Sequence, residues 1–238
     1  MTDPIAYAVQ PAPVHCLAIA GHTERFPVNR VFCVGRNYAA HAREMGKDPD
    51  REPPFFFMKP AQAVIDASSP ATIPYPPKTG NFHHEVELVV AIAKGGANIP
   101  VEQALDHVFG YALGFDMTRR DLQFEARDKG RPWEFGKSFA LSAPIGALRP
   151  ASEGHLPQGN IVLTVNGQPR QSSDVAKMIW SVAECIAVLS AHDALEPGDI
   201  IMTGTPEGVG AVVPGDVMHG HITGLGDITV TVEGPRSA

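Results

Sequence analysis

The chain has 238 residues, enough for one well-buried core and few for two full domains. Lys and Arg number 19 against 26 Asp and Glu, a net charge of −7 that leaves no basic footprint for a nucleic-acid backbone. Hydrophobic residues make up 44% and charged residues 19%, the balance of a globular protein, and no stretch approaches the roughly 20 apolar residues of a membrane-spanning helix.

Gly 23 and Pro 22 favour many short strands joined by tight turns over a helix bundle. The three cysteines, Cys16, Cys33 and Cys185, form no C-x-x-C pair, and an odd count suits reduced, buried thiols. With no basic, apolar leader pattern at the start of the sequence, the expectation is a cytoplasmic protein. Residues 1–29 are Pro-interrupted and read as an N-terminal arm carrying one short strand within 14–20, and residues 30–238 read as a single domain.

Along that domain, residues 30–34 form a strand that runs into GRNYAAHAREMG, a short helix with Asn37 as N-cap and Gly46 as its stop. PPFFFMKPAQAVI reads as an aromatic strand pair broken by Pro60, and SSPATIPYPPKTG as turn chemistry. HHEVELVVAI is a strand, VEQALDHV a short helix and FGYALGFDMT another strand; TRRDLQFEARDKG is either a helix or a loop. The remainder is β-rich, with a hairpin signature at Asn166-Gly167. One amphipathic helix interrupts it, over 173–192, where Val175, Ile179, Val182, Ile186 and Leu189 recur every three or four residues.

The chemistry concentrates in a few places. Glu85 and Glu87 stand at i and i+2 of a strand, so their carboxylates emerge on one face and destabilise each other unless a cation lies between them. An exposed acidic edge is the alternative. His83 and His84, being adjacent, point to opposite faces and do not extend the pair into a His-containing site. Asp116 ends an apolar strand, where a carboxylate needs a partner. Three carboxylates without a soft ligand suit a hard cation, Mg²⁺ or Mn²⁺. If the next segment is helical, Asp116, Arg120 and Gln123 share a face, which places a guanidinium and an amide beside that cation, ready for a carboxylate ligand. His41 and Glu44 lie one helical turn apart, the spacing at which a carboxylate fixes an imidazole tautomer and leaves the other nitrogen to act as a base. Lys137 sits in FGKSF, within reach of such a centre; taken alone each of these side chains would read as a surface charge. GTPEGVG lacks the Lys-Ser/Thr of a phosphate loop and reads as a turn of close backbone approach, while Lys59 and Asp66 are left without a role.

Taken in order, VGRNYAAHAREMG, PPFFFMKPAQAVI, HHEVELVVAI, YALGFDMTRRDLQ, GKSFALSAPIG, VNGQPRQ, GDIIMTGTPEGVG and PGDVMHGHITGLG resemble the catalytic domain of the fumarylacetoacetate hydrolase family over roughly residues 28–232. The resemblance implies an α+β, mainly β fold, a mixed β-sandwich roll, assembled as a homodimer. It implies Mg²⁺ (or Mn²⁺) held by Glu85, Glu87 and Asp116, and His41 with Glu44 as a water-activating dyad. Lys137 is then catalytic, Arg120 and Gln123 line the substrate site, and Thr205 supplies a ligand-binding hydroxyl; Arg36 is a further candidate for substrate binding. Members with isomerase or decarboxylase character carry an Asp after K-S-F, where this chain has Ala140, which argues against those activities.

The implied reaction is hydrolysis of a carbon–carbon bond in a small diketo acid (an acylpyruvate). PPFFFMKPAQAVI and HHEVELVVAI are most similar to the bacterial enzymes that split fumarylpyruvate into fumarate and pyruvate in gentisate breakdown. Such a substrate has a carboxylate at each end, and Arg36, Lys59, Arg119 and Arg131 are the candidates for the distal one. The alternatives are a general acylpyruvase, an oxaloacetate decarboxylase and, from a different class, a metal-binding module without activity.

Overall fold

The computed structural model describes residues 6–44 and 52–235. The strand Val86–Ile92 is buried along its whole length. Val86, Leu88, Val90 and Ile92 enter one apolar cluster, Val89 and Ala91 a second. A strand with two dry faces belongs at the centre of a sheet. It lies mid-way in a mixed eight-stranded sheet ordered Phe55–Lys59, Val31–Gly35, Ile200–Met202, Val86–Ile92, Val108–Phe115, Ala143–Ile145 and Val64–Asp66, with Arg149–Pro150 pairing on Val108–Phe115. Two of its pairings are parallel, Ile200–Met202 on Val31–Gly35 and Ala143–Ile145 on Val64–Asp66.

A five-stranded sheet packs on one face: Gln168–Asp174, Asn160–Val165, Val217–Ile222, Gly226–Glu233 and Ala71–Pro74. Ile161, Leu163, Met218 and Val230 of this sheet share the larger cluster with Leu88, Val90 and Leu113 of the first. The architecture is therefore the mainly β, α+β roll expected from sequence. On the opposite face the strand pair Cys16–Ala18 and Arg25–Pro27 buries Leu17 and Phe26 in the second cluster. A small third sheet, Thr118–Arg119, Phe82–His84 and Gly210–Val212, closes one end.

Several local expectations change. The amphipathic helix begins at Val182, not near 173, because Ser181 and Glu184 form a reciprocal capping box there. Upstream, residues 173–174 finish a strand, and Asp174 accepts from Ala176 N–H to start a single 3₁₀ turn, Val175–Lys177. Val175 is in the core, so its apolar character reports burial rather than helix. VEQALDHV forms a 3₁₀ helix, Val101–His107, and TRRDLQFEARDKG resolves as the α-helix Arg120–Asp128. Within SSPATIPYPPKTG, Ala71–Pro74 is an edge strand parallel to Gly226–Glu233. Pro is tolerated there because one side of an edge strand needs no ladder donor.

The helix Ala39–Glu44 follows the first long strand as expected, but Asn37 does not cap it. The Asn37 amide donates to Trp180 O and Thr203 O, both at 2.8 Å, and its Oδ1 accepts from Trp180 N at 2.7 Å. This fully buried side chain ties the helix entrance to two distant segments. Gly46, the expected helix stop, lies outside the described residues.

Candidate active site

Glu85 and Glu87 enter one cleft from the start of the central strand, as their two-residue spacing requires. Asp116 stands at the end of the neighbouring strand, and its backbone N–H donates to Glu85 O at 2.8 Å. The pairing of the two strands, Val86 opposite Phe115, brings the three acids together. One oxygen of each lies within 4.8 Å of the others, and all three are buried. An exposed acidic edge is thereby excluded.

Cations surround two of the three. Lys137 Nζ reaches Glu85 Oε2 at 2.8 Å, Asp116 Oδ2 at 2.7 Å and Thr118 Oγ1 at 2.7 Å. Arg120 reaches Glu85 Oε1 at 2.5 Å. Lys59, which sequence left without a role, lies 2.8 Å from Asp116 Oδ1 as an ion pair and donates to Lys137 O, Ser142 Oγ and Met117 O. Burial alone would raise the Glu85 carboxyl, but Lys137 and Arg120 outweigh it and hold it well below the usual range. Burial likewise opposes the Lys137 charge, yet Asp116 and Glu85 hold its ammonium above the ordinary lysine value.

Glu87 is the exception. It is 2% exposed, and among the described residues no cation lies within ion-pair distance of it. Among the described residues its one directed bond is from Gly204 N–H to Oε2, at 2.8 Å. Burial, then Asp116, then Glu85 push its carboxyl well above the usual range. A carboxylate in this position needs a proton or a further positive charge. The all-oxygen donor set of Glu85, Glu87 and Asp116 fits a hard divalent cation.

His41 and Glu44 project from the helix Ala39–Glu44, with His41 Nδ1 3.2 Å from Glu44 Oε2. His41 also lines the cleft. Burial pushes its pKa below the ordinary histidine value, so the imidazole is neutral at pH 7. Glu44 is also held by Gly208 N–H, which donates to Oε2 at 3.1 Å and Oε1 at 3.2 Å. That amide and the Gly204 amide on Glu87 belong to one turn, GTPEGVG, which sequence flagged only for close approach. Both glycines have positive φ, +95° and +89°, and a Cβ would sit 2.8 Å from Asn37 Cβ at the first and 2.1 Å from Arg170 O at the second. Side chains are excluded, and the freed amides hold both acids. Thr205, between them, lines the cleft; its hydroxyl donates to Val86 O and accepts from Gln171 Nε2.

The expected shared face of Asp116, Arg120 and Gln123 does not form, because the helix starts only at Arg120 and Thr118–Arg119 is a short strand. Arg120 and Gln123 do lie together, 2.6 Å apart, and both line the cleft. The Arg120 guanidinium is not poised free for a ligand: it serves Glu85, Gln123 and, at 3.4 Å, His83. Arg36 lines the cleft as expected, whereas Arg119 stacks on Phe139 at 4.2 Å and points elsewhere. His83 and His84 stay outside the acidic triad, bonded to Asn81 and Gln171.

The family profile described as Fumarylacetoacetate (FAA) hydrolase C-terminal matches residues 30–233. The chain belongs to the fumarylacetoacetate hydrolase family. Within it, a fumarylpyruvate hydrolase from Ralstonia sp. is 50% identical over 190 residues, covering 79% of this chain and 98% of the relative. The human mitochondrial oxaloacetate tautomerase FAHD1 is 43% identical over 207 residues, 87% of this chain and 92% of that one. Among solved structures, the fumarylpyruvate hydrolase of Pseudomonas aeruginosa in complex with Mn²⁺ and pyruvate superposes with a TM-score of 0.92. It is 56% identical and covers 96% of this chain and 99% of its own.

Proposed function

We propose that this member of the fumarylacetoacetate hydrolase family is a divalent-metal-dependent hydrolase that splits fumarylpyruvate into fumarate and pyruvate. The observation that carries the reading is Glu87, a buried carboxylate with no cationic partner among the described residues, facing Glu85 and Asp116 in the cleft that His41 also lines. The likeness to the Ralstonia and Pseudomonas hydrolases supports the choice of substrate.

Glu85, Glu87 and Asp116 would hold Mg²⁺ or Mn²⁺. When bound, the cation supplies Lewis-acid polarisation of the 2-oxo acid end of the substrate. Glu44 accepts from His41 Nδ1–H, which leaves Nε2 as the acceptor for a water proton. The activated water adds to the C4 carbonyl, the C3–C4 bond breaks, and its electron pair passes to the pyruvate fragment as an enolate. The proton taken from water is available to C3. Lys137 keeps a positive charge beside that developing anion, and Arg120 and Gln123 line the cleft beside it.

Decay of the diketo-acid absorbance tests the reading directly. Fumarylpyruvate is expected to be consumed with stoichiometric release of pyruvate and fumarate in the presence of Mg²⁺ or Mn²⁺, and not after rigorous chelation. Metal-independent turnover, or release of carbon dioxide from oxaloacetate as the dominant reaction, would overturn it.

We also propose a homodimer. The strand Phe55–Lys59 is an edge of the large sheet with Met58 44% exposed, and Phe135 nearby is 82% exposed. Unpaired edges and large exposed apolar side chains favour contact with a second copy. Sedimentation at micromolar protein should give twice the 25.4 kDa chain mass, and a monomer would sink the proposal.

A further inference from the structure

The cleft that holds the acids, Lys137 and His41 is also lined by aromatic side chains and by two further arginines. Phe57, Phe124 and Trp133 line its wall, and Arg36 and Arg127 are its remaining cations. The other candidates for a distal cation are engaged or misplaced. Lys59 is 1% exposed and bonded to four groups around Asp116. Arg119 stacks on Phe139, and Arg131 does not line the cleft itself but an adjoining groove that shares Arg36, Phe57 and Trp133 with it.

Arg36 is half-buried, rests on the Phe55 ring at 5.1 Å, and has no carboxylate within ion-pair distance among the described residues. Its backbone is left-handed, φ 56°, an uncommon state for an arginine, directly after the strand Val31–Gly35 ends, and its side chain lines the cleft. Arg127 stacks on Phe124 at 4.4 Å and, among the described residues, pairs only with its neighbour Asp128, whose side chain is 64% exposed. An exposed pair between sequence neighbours contributes little and yields readily to a better partner.

We propose that Arg36 and Arg127 form the carboxylate-binding end of the substrate cleft, so that it selects acylpyruvates whose acyl chain itself ends in a carboxylate. The inference rests on the acylpyruvate reading above and adds to it the specificity residues. The aromatic wall suits a flat, conjugated chain between two charged ends, and a guanidinium fork takes a carboxylate with two parallel bonds. Because both arginines keep part of their solvent, a neutral-tailed substrate loses the pairing without leaving a fully buried bare charge. The expected discrimination is roughly 10- to 100-fold, the worth of one charge-assisted bond, and not the far larger factor of a sealed site.

The test uses the full-length, Mg²⁺-loaded protein as wild type, Arg36→Met, Arg127→Met and Arg127→Lys. The first readout is the ratio of kcat/KM for fumarylpyruvate to that for acetylpyruvate. It should fall roughly 10- to 100-fold in each Met variant, through KM for fumarylpyruvate, and part-way in Arg127→Lys. The second is calorimetric titration with fumarate and with pyruvate, which needs no turnover: the Met variants should weaken fumarate by at least about tenfold and pyruvate far less. Equal losses on both acylpyruvates, unchanged fumarate affinity in the variants, or no fumarate binding by the wild type would each overturn the assignment. Should the wild type turn over neither acylpyruvate, the hydrolase reading fails on its own, and the fumarate titration still decides the clamp.

Discussion

Glu87→Gln is expected to abolish both turnover and the stabilisation that Mg²⁺ confers, while leaving the metal-free protein as stable as the wild type, or more so, at neutral pH. Glutamine keeps the shape of the side chain and can still accept from Gly204 N–H. It removes a charge that burial, Asp116 and Glu85 all oppose. The sign follows from linkage. An acid whose folded pKa is raised holds a proton that the unfolded chain has already released, so metal-free stability falls as pH climbs from the ordinary glutamate range, near 4.5, toward the raised value. The glutamine variant should lose that slope. Cation binding supplies about 2.7 kcal/mol at roughly 100 times Kd. For a chain of this length that corresponds to a rise in Tm of roughly 5–10 °C. Thermal scans with and without Mg²⁺ at pH 5 and pH 8 measure both effects. A variant that still gains the full Mg²⁺-dependent rise would show that the cation is not held by Glu87.

What the sequence made legible was whatever depends on near neighbours. The two-residue spacing of Glu85 and Glu87 places both in one cleft, and the three-residue spacing of His41 and Glu44 places them in contact. The ordered blocks carried the family and, with it, the mixed β roll. What stayed hidden depends on distant partners. Gly208 N–H reaches Glu44 across 164 positions, and Trp180 meets Asn37 across 143, and no local pattern announces either. The Asn37 amide, read as a helix cap, is engaged by those partners instead. Lys59 carried a partial signal, a charge in an apolar strand, but its partner Asp116 is 57 positions away and follows a strand four places from its own in the sheet, so neither near sequence nor strand pairing connects them. Local error also occurred: the apolar period continued upstream of Ser181 because Val175 is buried by tertiary packing, and the capping box at Ser181–Glu184 was the better guide to where the helix begins.

His41→Ala should lower the hydrolytic kcat by roughly 10²–10⁴, the usual contribution of a positioned general base, with a smaller change in KM. The imidazole is 6% exposed and lines the cleft that holds the acids, so it can reach a water there. Burial keeps it neutral at pH 7, the form that can take a proton. The Glu44 carboxylate at Nδ1 selects the tautomer with Nε2 free. The rising limb of the wild-type pH–rate profile should therefore lie below the ordinary histidine value of about 6.5. Glu44 acts through His41, and its charge and hydrogen bond raise the imidazole pKa. Glu44→Gln should then move that limb to lower pH and reduce the plateau by less than His41→Ala does, a signature that a loss of folding alone would not produce. Enolate-forming decarboxylation of oxaloacetate needs no attacking water, so any such side activity should survive His41→Ala better than hydrolysis does. Parallel assays of both reactions on one preparation decide the matter. Equal losses would mean that His41 shapes the cleft rather than activating water, and an unshifted pH limb in Glu44→Gln would remove Glu44 from the dyad.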